Sequence, residues 1–299
     1  MGVLVRNYCK LRNDSNYFMK YIIITLLVFN LAFAQQRKST DCNTIFLCVD
    51  NETYKNLFLN SFIKDTLFIC QEISTTTNIE SYQGKYLIGK SATIELFQPK
   101  ENGKFGDKLG DIGIEFKTRQ IGDQLELINE AKKQGTTLIT DQVKLEDSIP
   151  WYSSIKLYDN KTNLQLSNIE YRREYLEYLG FDDYEIIKPM TYENFNKKLS
   201  EGRPYPREFS KLKSINIKIN TKDLKFLEDF CLLNGMRKKR NSYTSEDFTL
   251  FYTIDDTKNN VEIINLKFEL VNSYKNREIN ISKKVVLKIH KRSGTFLFN

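Results

Sequence analysis

The sequence predicts an α+β protein built from modules that each contain one strand, one helix and three further strands. The main observation is that apolar runs of strand length and segments of helical spacing follow one order from residue 43, and the same order starts again at residue 112. A second observation is the composition, with 40% apolar and 28% charged residues, which is ordinary for a folded globular chain. Together they favour a repeated α+β architecture.

The first module is predicted between residues 43 and 97. Residues 43–49 form an apolar run of strand length, and Asp50 can cap a helix that follows. Tyr54, Leu57 and Phe58 then lie at helical spacing. Three extended segments complete the module, at residues 67–74, 82–88 and 92–97.

The second module repeats this order after a polar, glycine-rich loop. Residues 112–116 form its first strand, and Gly135 can end its helix. The apolar face of that helix is expected to consist of Ile121, Leu125, Ile128 and Ala131. Its three later strands are predicted at residues 136–143, 151–158 and 164–170.

The remaining chain predicts a helical linker and a third module. A short helix at 171–179 precedes a proline-containing linker with one helix at 191–199. The third module is predicted from a strand at 215–219, a helix at 223–233 and strands at 248–254, 261–271 and 283–290. The predicted domains are therefore residues 43–170 and 212–299, joined by a linker at 171–211.

The N-terminus predicts export. Lys20 precedes an apolar run at residues 21–33 that ends in Ala32-Phe33-Ala34, the pattern of a cleaved secretory signal. Residues 1–34 are thus predicted to be a signal peptide with an upstream extension, translation starting at Met19 being an alternative. The run is short for a membrane span, although an uncleaved anchor stays open. We expect a secreted or periplasmic protein that meets a membrane only during export.

Four cysteines follow the predicted cleavage point, a number compatible with disulfides in an oxidising compartment. Cys42 and Cys48 are too far apart along an extended run to bridge each other. A bridge between Cys48 and Cys70 on neighbouring strands and buried free thiols, which would also include Cys231, are both left open.

The charged residues exclude several functions. The chain has a single histidine, His290, which argues against a histidine-rich zinc site and against a Ser-His-Asp triad. Its formal charge of +7 is modest, and it falls further if the basic signal segment is removed, so no nucleic-acid partner is expected. His290 lies among basic residues and is expected to be structural or exposed.

Two short motifs are interpreted as structural. Residues 84–91, Gly-Lys-Tyr-Leu-Ile-Gly-Lys-Ser, match the phosphate-loop pattern, but the apolar interior and the alternation after Ser91 predict strands where that loop needs a helix. Residues 237–240, Arg-Lys-Lys-Arg, follow a predicted helix and are interpreted as its solvated end.

Several of these segments also resemble a known family. The run from Gly84 to Phe97, the loop after it and residues 111–116, Asp-Ile-Gly-Ile-Glu-Phe, resemble the glyoxalase/bleomycin-resistance, or vicinal oxygen chelate, superfamily, in the style of its secreted uncharacterised members. The resemblance covers residues 43–170, and a weaker resemblance extends to the C-terminal part of the chain. It implies that the paired modules form a cupped mixed sheet with a binding site on its concave face.

The resemblance also implies site residues. Glu95 matches the glutamate that ends the first module, Thr44 stands at the ligand position of the first strand, and Glu170 matches the last glutamate. Histidines of the metal-dependent relatives are missing at Thr44 and near Gly113, so no metal or other cofactor is expected. Trp151 follows Pro150 and is a candidate for the apolar wall of a ligand cup.

The leading hypothesis is an exported binding module for a small molecule or a partner. The alternative is an enzyme, a metal-assisted lyase, dioxygenase or hydrolase, that uses Glu95 and Glu170.

Overall fold

The computed structural model describes residues 40–101, 106–145, 148–157, 162–200 and 207–299, and all of them belong to one compact unit. The predicted signal segment lies outside the described residues, so its cleavage stays a prediction. Within the described part, no helix has both the length and the apolar character that a bilayer crossing requires.

Two modules with the predicted element order build the first sheet. The first consists of β1 (Thr40–Cys48), α1 (Asn51–Leu57), a π-helical turn (Ile63–Leu67), β2 (Ile69–Thr76), β3 (Ser81–Ile88) and β4 (Thr93–Phe97). The second consists of β5 (Ile112–Thr118), α2 (Asp123–Lys133), β6 (Leu138–Leu145), β7 (Ile149–Leu157) and β8 (Leu164–Tyr171).

The strand order of this sheet is β2-β3-β4-β1-β5-β8-β7-β6. In each module the first strand lies parallel to the last one, and the two modules meet where β1 runs antiparallel to β5. The predicted fold class, paired β-α-β-β-β modules in a curled mixed sheet, is thereby confirmed. Asp50 caps α1 as predicted, since its carboxylate accepts a hydrogen bond from the Thr53 backbone N–H at 3.0 Å.

Three short helices follow the first sheet, and a third module forms the second sheet. The helices are α3 (Arg173–Tyr178), α4 (Asp183–Ile186) and α5 (Tyr192–Leu199). The third module consists of β9 (Phe209–Ile219), α6 (Thr221–Leu233), β10 (Arg237–Lys239), β11 (Ser242–Thr244) and β12 (Thr249–Ile254). A long hairpin, β13 (Glu262–Asn280) and β14 (Val285–Phe298), then completes the six-stranded order β10-β11-β12-β9-β13-β14.

The C-terminal strands differ from the sequence prediction in their assignment. The segments near 261–271 and 283–290 were expected to be the last strands of the third module, but they form the added hairpin beside β9. The module instead uses the short strands β10 and β11. Residues 237–240 therefore form an edge strand and its turn rather than a solvated helix end, and the positive charges there protect an exposed sheet edge.

One hydrophobic core lies between the two sheets. Alternate residues of the central strands point into it, including Ile45, Leu47, Ile114 and Phe116 of the first sheet, and we call this the core face. The helix α2 also packs there. Ala131 of the predicted face is buried and Ile128 is partly buried, but Ile121 and Leu125 are exposed, and Gln124 and Leu127 are buried instead.

The opposite face of the first sheet, which we call the site face, carries the other alternate residues. Thr44 and Phe46 of β1 lie on it, next to Glu95 of β4 and Glu115 of β5. Near one end of this face, helices α3 to α5 form a separate small apolar cluster around Leu176, Phe181, Ile186, Met190, Tyr192 and Phe195.

The segment 84–91 forms strand β3 and a turn into β4, so no helix follows Ser91. The backbone N–H groups of Lys90 and Ser91 donate to the carbonyl oxygens of Phe209 and Ser210, at 3.1 and 3.0 Å. These donors are thus already used within the fold. The phosphate-loop match is structural, as the sequence predicted.

The cysteines of the described chain are free thiols. Cys48 lies on β1 and Cys70 on β2, and the strand order places β3 and β4 between them. Three strand spacings of about 4.8 Å separate the two strands, well beyond the reach of a disulfide. The expected neighbouring position of these two cysteines was therefore wrong.

Candidate functional site

Strand register brings polar side chains together at the centre of the site face. Thr44 lies beside Thr93 of β4 on one side and beside Glu115 of β5 on the other. Glu115 in turn lies beside Ser167 of β8. Glu95 belongs to the next row, where it pairs with Phe46 and with Tyr86. Two carboxylates thus lie on either side of β1, offset by one row.

A β-bulge in β1 adds Asn43 to this group. The pairing between β1 and β5 shifts between Cys42 and Thr44, which leaves Asn43 as the extra residue. Its amide Nδ2 donates to Glu115 Oε1 at 3.2 Å and to Thr44 Oγ1 at 3.0 Å. Bulges commonly re-aim a side chain in this way.

The two carboxylates are electrostatically unfavourable as a pair. Burial raises the pKa of Glu95 from 4.5 to about 8, and the nearby charge of Glu115 acts in the same direction. Burial also raises the pKa of Glu115, to about 7, although the Asn43 hydrogen bond and Lys156 act against this rise. Near neutral pH the pair therefore holds protons that ordinary glutamates would have lost.

Tyrosines surround the pair. Burial raises the pKa of each of their hydroxyls, and the charge of Glu95 adds to the rise in all five and that of Glu115 in all but Tyr86, so these rings lie in the field of the carboxylates. The five tyrosines come from four elements: Tyr82 and Tyr86 from β3, Tyr152 from β7, Tyr171 from β8 and Tyr192 from α5.

Lys156 is the cation next to Glu115, and it already has an acidic partner. It lies beside Ser167 on the site face, and its Nζ is 3.1 Å from Asp141 Oδ2 on β6. The described residues provide no hydrogen bond or ion pair to the carboxylate of Glu95.

The helices α3 to α5 close one end of the site face. Tyr192 of α5 shares a hydrogen bond with Thr93, with 3.0 Å between the two hydroxyl oxygens. Lys117 of β5 donates from Nζ to the carbonyl oxygen of Met190 at 2.8 Å, and Asn196 donates from Nδ2 to that of Gly89 at 3.2 Å. Burial lowers the pKa of Lys117 to about 8. Polar contacts therefore fix the helices over the sheet.

Three buried polar atoms lie on or beside this face without a hydrogen-bond partner in the described chain: Asn43 Oδ1, Ser167 Oγ and Ser154 Oγ. Their residues are 1%, 1% and 2% exposed. Buried polar groups in folded proteins nearly always have partners. Two of them adjoin Glu115, since Asn43 donates to its carboxylate and Ser167 is its cross-strand partner, as a site for a polar ligand requires.

The family model for the family of unknown function DUF5829 matches residues 42–298. The chain belongs to this family. A comparison with curated proteins finds no match.

Several solved structures are similar to this DUF5829 chain at low identity. Homoprotocatechuate 2,3-dioxygenase from Arthrobacter globiformis is 13% identical with a TM-score of 0.37, over 73% of this chain and 61% of that chain. The Mn(II)-bound glyoxalase from Novosphingobium aromaticivorans is 8% identical with a TM-score of 0.38, over 73% and 62%. The 2,3-dioxygenase LapB from Pseudomonas sp. KL28 is 7% identical with a TM-score of 0.44, over 85% and 90%. The chain thus spans less than two thirds of the length of the first two.

Two of the sequence-predicted site residues, Thr44 and Glu95, lie on the site face of this DUF5829 protein, but Glu170 does not. Glu170 alternates with Tyr171 in β8 and belongs to the core face, where it accepts hydrogen bonds from the backbone N–H groups of Gly122 and Gln124 at 3.0 and 2.8 Å. It anchors the N-terminal end of α2. The alternative that joined Glu95 with Glu170 therefore lacks the required geometry.

Trp151 lies at the rim of the site. The pairing of β6 and β7 shifts at this point, so that Trp151 is the extra residue of a second bulge. Its ring contacts Tyr152 and Tyr175, with centroid distances of 4.9 and 5.9 Å. It is half-buried beside the tyrosine wall.

The residues present do not fit the transition-metal site that the resemblance implies. The expected ligand positions hold Thr44 and Gly113, and Glu170 faces the other way. No group of three or more histidine, cysteine, aspartate or glutamate residues is placed to hold a metal in the described ranges. The donor set is two carboxylates, an amide and hydroxyls, without imidazole.

The sequence patterns did not point to Glu115 and Asn43. Glu115 had a detectable signal, since it is an acidic residue inside the apolar strand segment Ile-Gly-Ile-Glu-Phe. Asn43 had none, because a bulge cannot be recognised from this sequence pattern. His290 is exposed, and its Nδ1 lies 2.8 Å from Asn276 Oδ1, as expected for a surface histidine.

Proposed function

We propose that this DUF5829 protein binds a small molecule on the site face, and that it does so without a transition metal. The observation that supports this most is the set of buried polar atoms around Glu115 that have no partner in the described chain. Leaving such a group buried and unpaired costs about 1–3 kcal/mol, so a site that retains several is better explained by a ligand than by stability.

The surroundings of these atoms also suit a ligand. The tyrosines provide apolar walls with polar tips, a common composition of binding sites. Glu95 and Glu115 both keep partial exposure, so a molecule from solvent can reach them. A face intended only for core packing would carry apolar residues at these positions, as the core face does.

The test is a screen of small neutral, anionic and cationic compounds against the full chain. Binding is followed by the fluorescence of Trp151, the single tryptophan of the sequence, and by the shift in melting temperature. Tyr86→Ala should weaken any hit, whereas Tyr178→Ala, an exposed tyrosine on α3, should not. The proposal is contradicted if no compound binds, or if the compounds that bind do so as tightly to the Tyr86→Ala variant as to the wild type.

A second candidate function is acid–base catalysis on the bound molecule. It is favoured by the pKa values of about 8 for Glu95 and about 7 for Glu115, because general acids and bases work best when their pKa lies near the working pH. To test this, a compound that binds is incubated with the wild type and with Glu115→Gln, and the products are analysed by mass spectrometry. Conversion by the wild type alone supports catalysis, and conversion by neither protein contradicts it.

Export is part of the proposal. It rests on the sequence pattern of residues 1–34. The N-terminus of the protein recovered from the secreted or periplasmic fraction should be Gln35. Accumulation in the cytoplasm with residues 19–34 intact would contradict it.

We propose no nucleic-acid partner, and retention on a DNA or RNA column at moderate salt would be the contrary result.

A further inference from the structure

We propose that the ligand of the site face is an organic cation that carries several N–H donors, such as an amine or an amidine. This inference rests on the proposed function and narrows it to one chemical class. It is carried by three independent features of the site face, namely its charge, its hydrogen-bond acceptors and its aromatic walls.

The charge on the site face is unbalanced. Glu95 and Glu115 are acidic, and Lys156, the cation beside Glu115, pairs with Asp141. Lys117, farther along β5, donates instead to the carbonyl oxygens of Thr118 and Met190. Glu95 therefore has no charged partner in the described residues, and Glu115 has only the Asn43 hydrogen bond and a share of the Lys156 charge, although buried charges in proteins are normally paired. A ligand with a positive charge would supply the missing partner, and without it the carboxylates retain protons.

The unpartnered atoms require a donor. Asn43 Oδ1 can only accept a hydrogen bond, and the amide of the same side chain is already used on Thr44 and Glu115. Ser167 Oγ lies next to Glu115 on the neighbouring strand and can accept as well. An ammonium or amidinium group has two or more N–H donors, so one group could serve a carboxylate and these neighbours together.

The aromatic walls favour the same class. Tyrosine rings attract cations through their electron-rich faces, in addition to their apolar contact. The wall rings come from both modules of the first sheet and from α5, so they surround the carboxylates rather than lie on one side of them. A neutral apolar ligand would leave Glu95 without a partner and would cover Glu115 with only its Asn43 hydrogen bond, and an anionic ligand would be repelled.

The test compares benzamidine and benzylamine with benzyl alcohol, which has a similar ring but no charge, and with benzoate. Binding to the full chain is measured by calorimetry and by Trp151 fluorescence. We expect the two cations to bind and the other two compounds to bind at least about tenfold more weakly. Glu95→Gln and Glu115→Gln should each reduce cation affinity by about tenfold or more. Glu52→Gln, which removes an exposed acid on α1, should leave it unchanged.

The affinity should also depend on pH. Lys156 is paired with Asp141, and Lys117 is held by backbone carbonyl oxygens at the closed end of the face. The tyrosine hydroxyls have raised pKa values, so Glu95, Glu115 and Lys117 are the groups of this face that change charge between about pH 6 and about pH 9. The titratable and charged groups on this face around the pair are Tyr82, Tyr86, Lys117, Asp141, Tyr152, Lys156, Tyr171 and Tyr192, together with Asp41 and Arg119, which form an ion pair beside Lys117.

Binding of benzamidine should strengthen over this pH range, because the glutamates gain negative charge as they lose their protons. The Glu95→Gln, Glu115→Gln double variant should lose this trend. Lys117→Met keeps both glutamates and should retain it. A trend that persists in the double variant and disappears in Lys117→Met would assign the pH dependence to the lysine and overturn the role of the carboxylates.

The outcomes separate this inference from the proposed function. If benzyl alcohol or benzoate binds as tightly as the cations and Tyr86→Ala weakens it, the face binds small molecules but the cation class is wrong. If magnesium or calcium chloride stabilises the protein through Glu95, the site is a metal site and the inference is overturned. If no compound of any charge binds, both proposals fail.

Discussion

Phe46 covers Gly113 on the site face: a Cβ atom built on Gly113 would lie 1.7 Å from Cε1 of the Phe46 ring. The two residues are direct cross-strand partners on β1 and β5. The resemblance places a histidine near Gly113 in metal-dependent relatives. Any side chain there would have to displace the Phe46 ring, which covers this position of the site face.

Gly113→Ala should therefore destabilise the fold. Overpacking of a filled site typically costs about 1–3 kcal/mol, and a contact this short with a ring in a sheet belongs at the upper end. Urea denaturation measures the loss. The double variant Phe46→Ala, Gly113→Ala should lose less than the sum of the two single variants, and additivity would show that the contact does not carry the cost.

Glu170→Gln should destabilise the fold without affecting the site. The carboxylate accepts hydrogen bonds from the N–H groups of Gly122 and Gln124 at the start of α2 and from the hydroxyl of Thr118 at 3.3 Å. A carboxylate there also favours the positive end of the helix dipole. We expect a loss of about 1–2 kcal/mol in urea denaturation. Benzamidine affinity should equal that of the wild type; a weaker affinity would place Glu170 in the site after all.

Glu95→Gln should stabilise the protein at high pH. The pKa of Glu95 is about 8 in the folded state, above its ordinary value of 4.5, because burial and Glu115 disfavour the charged form. An acid with a raised folded pKa holds its proton more tightly when folded, so stability is lost as pH rises from about 4.5 to about 8. Glutamine does not ionise and avoids this loss.

The stability difference between Glu95→Gln and the wild type should accordingly be small near pH 5 and should reach on the order of 2 kcal/mol near pH 9, allowing for the partial exposure of the side chain. Melting temperatures across this range provide the measurement. Glu52→Gln serves as the matched control with no such trend. A difference that is constant with pH would disprove the raised pKa.

The stability of the fold should depend on Asn168 and Asn234 as a hydrogen-bonded pair. Asn168 of β8 donates to Asn234 Oδ1 at 2.5 Å, and Asn234, which follows α6, donates back to Asn168 Oδ1 at 3.2 Å. Both residues are buried, and they link the first sheet to the third module. Asn168→Leu leaves Asn234 Oδ1 buried without its partner, while the amide of Asn234 keeps its bond to the Phe230 carbonyl oxygen, and should cost about 1–3 kcal/mol. The double variant Asn168→Leu, Asn234→Leu should recover part of the lost stability. A further loss of stability in the double variant would contradict the pairing.

Much of the fold could be predicted from local patterns. The strands at 82–88 and 92–97 were predicted because their apolar residues alternate, and the helix at 223–233 because its apolar spacing ends at Gly235; the structure has β3, β4 and α6 there. The third module was assigned the wrong strands because β10 and β11 have only three residues each, too few for a periodic signal.

The site was predicted less completely. Thr44 and Glu95 were identified by position, but Glu170 was placed on the wrong face, because one residue of register decides the face of a strand and its hydrogen-bond partners at Gly122 and Gln124 are 48 and 46 residues away in sequence. Glu115 lies on the site face, but it was not predicted because it does not match a ligand position of the resemblance.

The sequence by itself determined the repeated order of strands and helices and the scarcity of imidazole, because both are properties of residue type and of short-range spacing. Only the tertiary structure decided which acidic residues share a face. That outcome depends on strand register, on the bulge at Asn43 and on the packing of Phe46 over Gly113, each of which is set by contacts between distant segments of the chain.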